Sequence, residues 1–189
     1  MQRLAEEAQK IKIGHGLEDG VLLGPLVSQS QHEKVLSWIK TGKREARLVT
    51  GGGEPEGLEG GCYVEPTIFA DMDEGATIWA EEIFGPVVCV KSFGTEDEAI
   101  RLANDSRFGL GAAVMSADLD RAEHVALAFW AGIVWINCSQ PTFTEAPWGG
   151  YKQSGIGREL GEWGLINCLE TKQITSRDRH KPWGWYSYK

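Results

Sequence analysis

The stretch VVCVKSFGTEDEAIRLANDSRFGLGAAVMSADLDRAEHVALAFWAGIVWI, residues 87–136, decides how this chain is built. Residues 87–93 form an apolar run of strand length. Thr95-Glu96-Asp97-Glu98 has capping-box spacing, in which the threonine hydroxyl and the second glutamate satisfy free N–H groups at a helix start. That predicts a helix through Ala103. Residues 112–115 read as the next strand, Asp118 caps a helix to about Trp130, and residues 132–136 read as a third strand. Strand, helix, strand, helix, strand with short links is the pattern of crossover units on a parallel sheet. The strands are apolar throughout, as expected where helices cover both faces. The fold class is therefore α/β, and ligands in such sheets sit beyond the carboxyl ends of the strands.

Working outward, residues 3–12 read as helix, with Leu4, Ala8 and Ile11 on one stripe. A glycine-rich loop runs through Gly24-Pro25. Ser30-Gln31-His32-Glu33 again has capping-box spacing, and Val35, Leu36 and Ile39 follow at helical intervals. This helix should stop near Gly42 or run on to about Ala46. Residues 47–50 read as a short strand closed by Gly51-Gly52-Gly53. Residues 63–69 are β-rich but contain Pro66, which predicts an edge or irregular strand. On the other side, the loop 137–157 leaves a strand's carboxyl end, a helix is expected near 158–169, and residues 171–175 look strand-like.

Composition narrows the function. The chain has 189 residues, 42% hydrophobic and 24% charged, with a net charge of −8. That is the balance of a globular protein of one sizeable domain. So acidic a chain repels phosphate backbones, which argues against nucleic acid as a partner. No apolar run approaches the roughly 20 residues that span a bilayer, and residues 1–13 carry no apolar signal-peptide core. The cysteines at 62, 89, 138 and 168 lie far apart. Such spacing fits reduced thiols in a cytosol-like compartment better than a zinc site or a disulfide framework.

Individual motifs carry different weights. Gly155-Ile156-Gly157 with Gly161 has GxGxxxG spacing and follows no short buried strand, so a loop entering a helix is preferred to a dinucleotide loop. Only Cys138 lies at a strand's carboxyl end, and buried structural roles are expected for all four thiols. His15, His32, His124 and His180 show no metal spacing, and surface or capping roles suffice for them. In an extended segment Glu82 and Phe84 face one side; a carboxylate beside a ring suits a ribose diol beside a flat heterocycle, or simply a solvated Glu and a core Phe. Trp148, in Ala146-Pro147-Trp148-Gly149-Gly150, could pack into the core or line a site, where its indole face would attract a cation by about 1–2 kcal/mol.

Several of these stretches, taken in order, resemble the aldehyde dehydrogenase family. They are Gly24-Pro25-Leu26-Val27-Ser28, Tyr63-Val64-Glu65-Pro66-Thr67, residues 81–87, Asn104 with Gly109-Leu110, and residues 147–159. Trp135-Ile136-Asn137-Cys138-Ser139-Gln140-Pro141, residues 157–164 and Pro182-Trp183-Gly184-Trp185-Tyr186 resemble its betaine-aldehyde and aminoaldehyde branch. The resemblance implies oxidation of an aldehyde to the acid with NAD or NADP. It implies that Glu82 binds the nicotinamide ribose and that Phe84 and Leu110 pack near the ring. Trp148 would wall an aromatic box for the substrate's amino end. Ile133 would narrow that box, Thr142 would bear on the substrate, and Glu159 would play an auxiliary catalytic part. The family's nucleophilic cysteine matches none of the four here and is expected upstream, with the general base and the main cofactor loops.

Two domains follow from the same resemblance: residues 1–169 as part of the catalytic domain, and 170–189 as an oligomerisation strand and aromatic tail. The implied partners are a small aldehyde and further copies of the chain, with no membrane and no nucleic acid. A cytoplasmic location is expected by default, since the end Ser187-Tyr188-Lys189 is no peroxisomal tail. The alternative is a non-catalytic interaction module or pseudoenzyme remnant that binds intact dehydrogenase subunits.

Overall fold

A computed structural model describes residues 1–178 and 180. The chain divides into two compact units, residues 1–106 and 107–189. The aromatic motif at 182–186, in the expected segment 170–189, lies outside the described residues.

The first unit is built around one long helix. After α1 (Gln2–Gln9), α2 runs Gln29–Glu45. Its cap is Ser28 rather than the expected Ser30: the Ser28 hydroxyl accepts the Gln31 N–H at 3.2 Å. Gly42 does not end the helix. A Cβ there would lie 2.7 Å from the Phe69 ring, so the glycine lets α2 approach the sheet. Val35 and Ile39 of α2 meet Val64, Phe69 and Ile78 in the core.

The sheet of this unit has the order β1-β2-β3, with β1 Arg47–Thr50, β2 Thr67–Ala70 and β3 Val87–Val90. β1 and β2 are antiparallel, and β2 and β3 parallel, Thr67 opposite Val87. Of the edge or irregular strand expected around Pro66, the edge is overturned, while the register of β2 against β1 does shift between Leu48 and Thr50. Pro66 stands just before β2, where the ladder needs no N–H from it, and β2 is central and buried at all four positions. A short helix, α3 (Thr77–Ala80), links β2 to β3. Glu45 serves it from α2, accepting the Thr77 hydroxyl at 2.7 Å and the Ile78 N–H at 3.2 Å. These bonds, the Thr77 bond foremost, hold the Glu45 carboxyl below its ordinary value. α4 (Glu96–Asn104) starts as its sequence requires: Thr95 accepts the Glu98 N–H at 3.2 Å and the Glu98 carboxylate accepts the Gly94 N–H at 2.7 Å.

In the second unit β5 (Gly111–Val114), α5 (Leu119–Ala128) and β6 (Ile133–Ile136) form the expected unit, with β5 and β6 parallel and Gly111 opposite Ile133. Asp118 caps α5 through the Arg121 N–H at 3.0 Å. A two-residue pair, β4 (Phe108–Gly109) with β7 (Tyr151–Lys152), is antiparallel.

Parallel pairing, expected across residues 87–136, occurs within each unit: β3 pairs with β2 in the first and β5 with β6 in the second. Not all strands are covered on both faces, for exposure alternates along β5. The last helix is shorter than expected: α6 covers Gly161–Ile166 because Glu159 is held in a backbone pair with Trp148. Residues 171–175 form no ladder among the described residues, since a strand needs a partner to count as one.

Candidate functional site

In the first unit, residues 81–86 form a loop fastened from within. Gln31 of α2 donates to the Phe84 carbonyl at 2.9 Å and the Ile83 carbonyl at 3.3 Å. Gly85 lies so close to α2 that a Cβ would meet Val35 at 2.7 Å. Ile83 turns into the core, while Glu82 and Phe84 both turn out. Phe84 has a φ of 57°, a backbone conformation costly for a bulky residue. The residue is 68% exposed. Phe84 thus stands outside the core of this unit, and a fixed loop presents a carboxylate and an aromatic ring on its outer side.

In the second unit an open cleft of about 530 Å3 lies beside β5 and β6, within the size range of small-molecule sites. Leu110, Trp135, Thr142 and Trp148 line it. The Trp135 and Trp148 ring centroids are 6.4 Å apart with planes tilted by 54°, a favourable arrangement for aromatic rings. Trp135 Nε1–H donates to the Pro141 carbonyl at 3.0 Å. A second cleft of about 520 Å3 shares Leu110 and Trp148 and adds Glu159 and Arg158.

The segment bearing Trp148 is held by backbone and by Arg158. Trp148 and Glu159 exchange both N–H bonds, at 2.7 and 2.9 Å. Arg158 donates to the Gly157 and Gly150 carbonyls at 2.6 and 3.0 Å, and its guanidinium stacks 5.3 Å from the Tyr151 ring. Asn137 brackets the start of the loop that carries Thr142. Its amide accepts the Ser116 N–H at 2.8 Å and donates to the Ser116 carbonyl at 2.9 Å, while its own N–H reaches the Val114 carbonyl.

Of the residues singled out in sequence, Leu110, Thr142 and Trp148 share one cleft and Glu159 joins Trp148 in the other, whereas Ile133 lines neither. Glu82 and Phe84 belong to the first unit. Trp135, Arg158 and Asn137 were missed as site residues. A tryptophan in an apolar strand reads as core, and Trp135 stands one residue before the end of β6.

The cysteines differ from expectation. Cys138 and Cys168 are exposed, Cys62 and Cys89 only partly buried, and all four are free. Burial pushes the Cys89 thiol up, which leaves it a poor nucleophile. His32 is buried rather than at the surface, with Nε2 3.2 Å from the Tyr63 carbonyl. Among the described residues no group of three or more His, Cys, Asp or Glu could hold a metal ion. No helix among them is long and apolar enough to cross a membrane.

Comparison with known proteins agrees with the motifs. The chain is 56% identical over 187 residues to the chloroplastic aminoaldehyde dehydrogenase ALDH10A8 of Arabidopsis thaliana, covering 98% of this chain and 37% of that protein. It is 56% identical over 188 residues to the chloroplastic betaine aldehyde dehydrogenase of Amaranthus hypochondriacus, covering 98% and 38%. The crystal structure of betaine aldehyde dehydrogenase from Staphylococcus aureus in complex with NAD+ superposes with a TM-score of 0.91 at 43% identity, covering 99% of this chain and 38% of that one. The chain thus spans little more than a third of the length of these relatives. The aldehyde dehydrogenase family model matches residues 1–174, and the chain belongs to the aldehyde dehydrogenase family.

Proposed function

We propose that this chain supplies the amine-facing wall and part of the cofactor surface of an NAD(P)-dependent dehydrogenase that oxidises aminoaldehydes or betaine aldehyde to the acid. The observation that carries this reading is the tilted Trp135–Trp148 pair on a cleft of about 530 Å3. A tryptophan face attracts an ammonium group by the ring quadrupole, and a cleft of this size admits one. Thr142 lines the same cleft and would touch the substrate. Ile133, opposite Gly111 on β6, is proposed to limit the width of the box.

The cofactor side fits a dinucleotide. The outward Glu82 carboxylate would accept hydrogen bonds from a ribose diol, and charged acceptors make the stronger bonds. Phe84, 68% exposed, offers a ring face for a flat heterocycle. Leu110, exposed just before β5, would add apolar surface toward the nicotinamide. When bound, NAD(P)+ accepts the hydride that leaves the aldehyde carbon. The part played by this chain's residues is to bind and orient. Glu159, fixed by its backbone pair with Trp148, would hold neighbours or pass a proton.

Residues 170–189 would associate copies of the chain. Their described part offers a segment outside any helix or ladder, with Ile174 85% exposed. Four free thiols fit a reducing compartment such as the cytoplasm.

The test is reduced-cofactor formation by the intact protein with aminopropanal and with betaine aldehyde, in the wild type and in Ile133→Ala. Bulk at 133 should press on the tryptophan that walls the box and so crowd the wider trimethylammonium group, an overpacking cost of about 1–3 kcal/mol. Wild type should therefore prefer aminopropanal, and Ile133→Ala should raise efficiency for betaine aldehyde while barely changing it for aminopropanal. An unchanged ratio overturns the role of Ile133, and turnover of neither aldehyde overturns the function.

A further inference from the structure

We infer that Trp135 is a positioning residue that sets affinity for the amine end of the substrate, by fixing both the Trp148 indole and the loop that carries Thr142; this rests on the proposed function. Three contacts pin its side chain. Its ring lies against Gly111, where an added Cβ would sit 2.9 Å from Cζ3 and 3.3 Å from Cη2. Its Nε1–H is bonded to the Pro141 carbonyl at 3.0 Å, which ties the loop one residue before Thr142. Its ring packs on Trp148 at 6.4 Å.

The Trp148 backbone is held by Glu159, but a backbone pair leaves χ1 and χ2 of the indole free to turn. Trp135 removes that freedom from one side. Cation–π attraction depends on the ring face pointing at the charge, so an indole that rotates away loses it. Gly111 is part of the device, because only a residue without Cβ lets the Trp135 ring settle across β5.

The test uses Trp135→Phe, Trp135→Ala, Gly111→Ala and Trp148→Ala in the intact protein. Steady-state rates are read with an ω-aminoaldehyde and with an uncharged aldehyde of the same length. Phenylalanine keeps a ring but loses the N–H and the reach, and Gly111→Ala displaces Trp135 without altering either indole. KM for the cationic aldehyde should rise about fivefold to tenfold in Trp135→Phe and Gly111→Ala, and further in Trp135→Ala. The kcat, and KM for the uncharged aldehyde, should stay within about twofold.

If Trp148→Ala raises the cationic KM while Trp135→Phe and Gly111→Ala do not, the inference is overturned and the functional reading stands. Equal rises for both aldehydes also overturn it, since general structural damage would explain them. An unmoved cationic KM in Trp148→Ala overturns the functional reading itself, and this inference with it.

Discussion

Replacing Asn137 by alanine tests how the loop that carries Thr142 is held at its start. Asn137 follows β6 with a φ of 55°, left-handed backbone that asparagine tolerates and alanine does not favour. Its side chain makes two bonds to Ser116, at 2.8 and 2.9 Å. Both bonds are exposed, so each is taken at the low end of the usual range, about 0.5 kcal/mol. Left-handed backbone in alanine adds about 1 kcal/mol. The sum is about 2 kcal/mol for Asn137→Ala, and about 1 kcal/mol for Asn137→Gly, which loses the bonds but not the backbone fit. Native-state hydrogen exchange of the residue-137 amide, bonded to the Val114 carbonyl in the wild type, reads the opening of this end. Protection should fall about 30-fold in the alanine variant and about fivefold in the glycine variant. Equal losses would remove backbone strain from the account, and no loss would remove the bracket.

Two further outcomes follow from the first unit. Glu82→Gln in the intact protein should raise KM for the oxidised cofactor about tenfold by replacing charge-assisted bonds with weaker neutral ones. Unchanged KM and hydride-transfer rate would refute the ribose role. Glu45→Gln should weaken α3. Because the folded-state pKa of Glu45 is depressed, its contribution is present above the ordinary glutamate value and is lost as pH falls through the folded value. The stability gap between wild type and Glu45→Gln, read from denaturant midpoints, should therefore be widest near neutrality and close in acid. A gap independent of pH would contradict this.

What was legible in sequence was local. Thr95 and Asp118 cap the helices their spacing announced, because a cap needs only neighbours within one turn. Ser28 was missed because two hydroxyls, 3.1 Å apart, compete for one helix start. What failed was non-local. Pro66 suggested an edge, yet the residue after it enters the most buried strand, and the choice of β2 as partner for β3 depends on a four-residue helix too short to show a period. The pair β4–β7 joins two-residue segments more than 40 positions apart, and no pattern within either announces it. In the site, the place of Trp148 could be read from its glycine-framed loop. Its contact with Trp135 could not, since an indole within an apolar strand looks the same whether it enters a core or edges a cleft.

The central claim is that Trp148 holds the charged end of an aldehyde substrate, and Trp148→Ala tests it most directly. The intact protein and this variant would be compared on an ω-aminoaldehyde and an uncharged aldehyde of equal length, by kcat/KM. Cation–π attraction of about 1–2 kcal/mol predicts that efficiency for the cationic aldehyde falls about fivefold to thirtyfold further than efficiency for the uncharged one. An equal fall for both, or no fall for either, would contradict it.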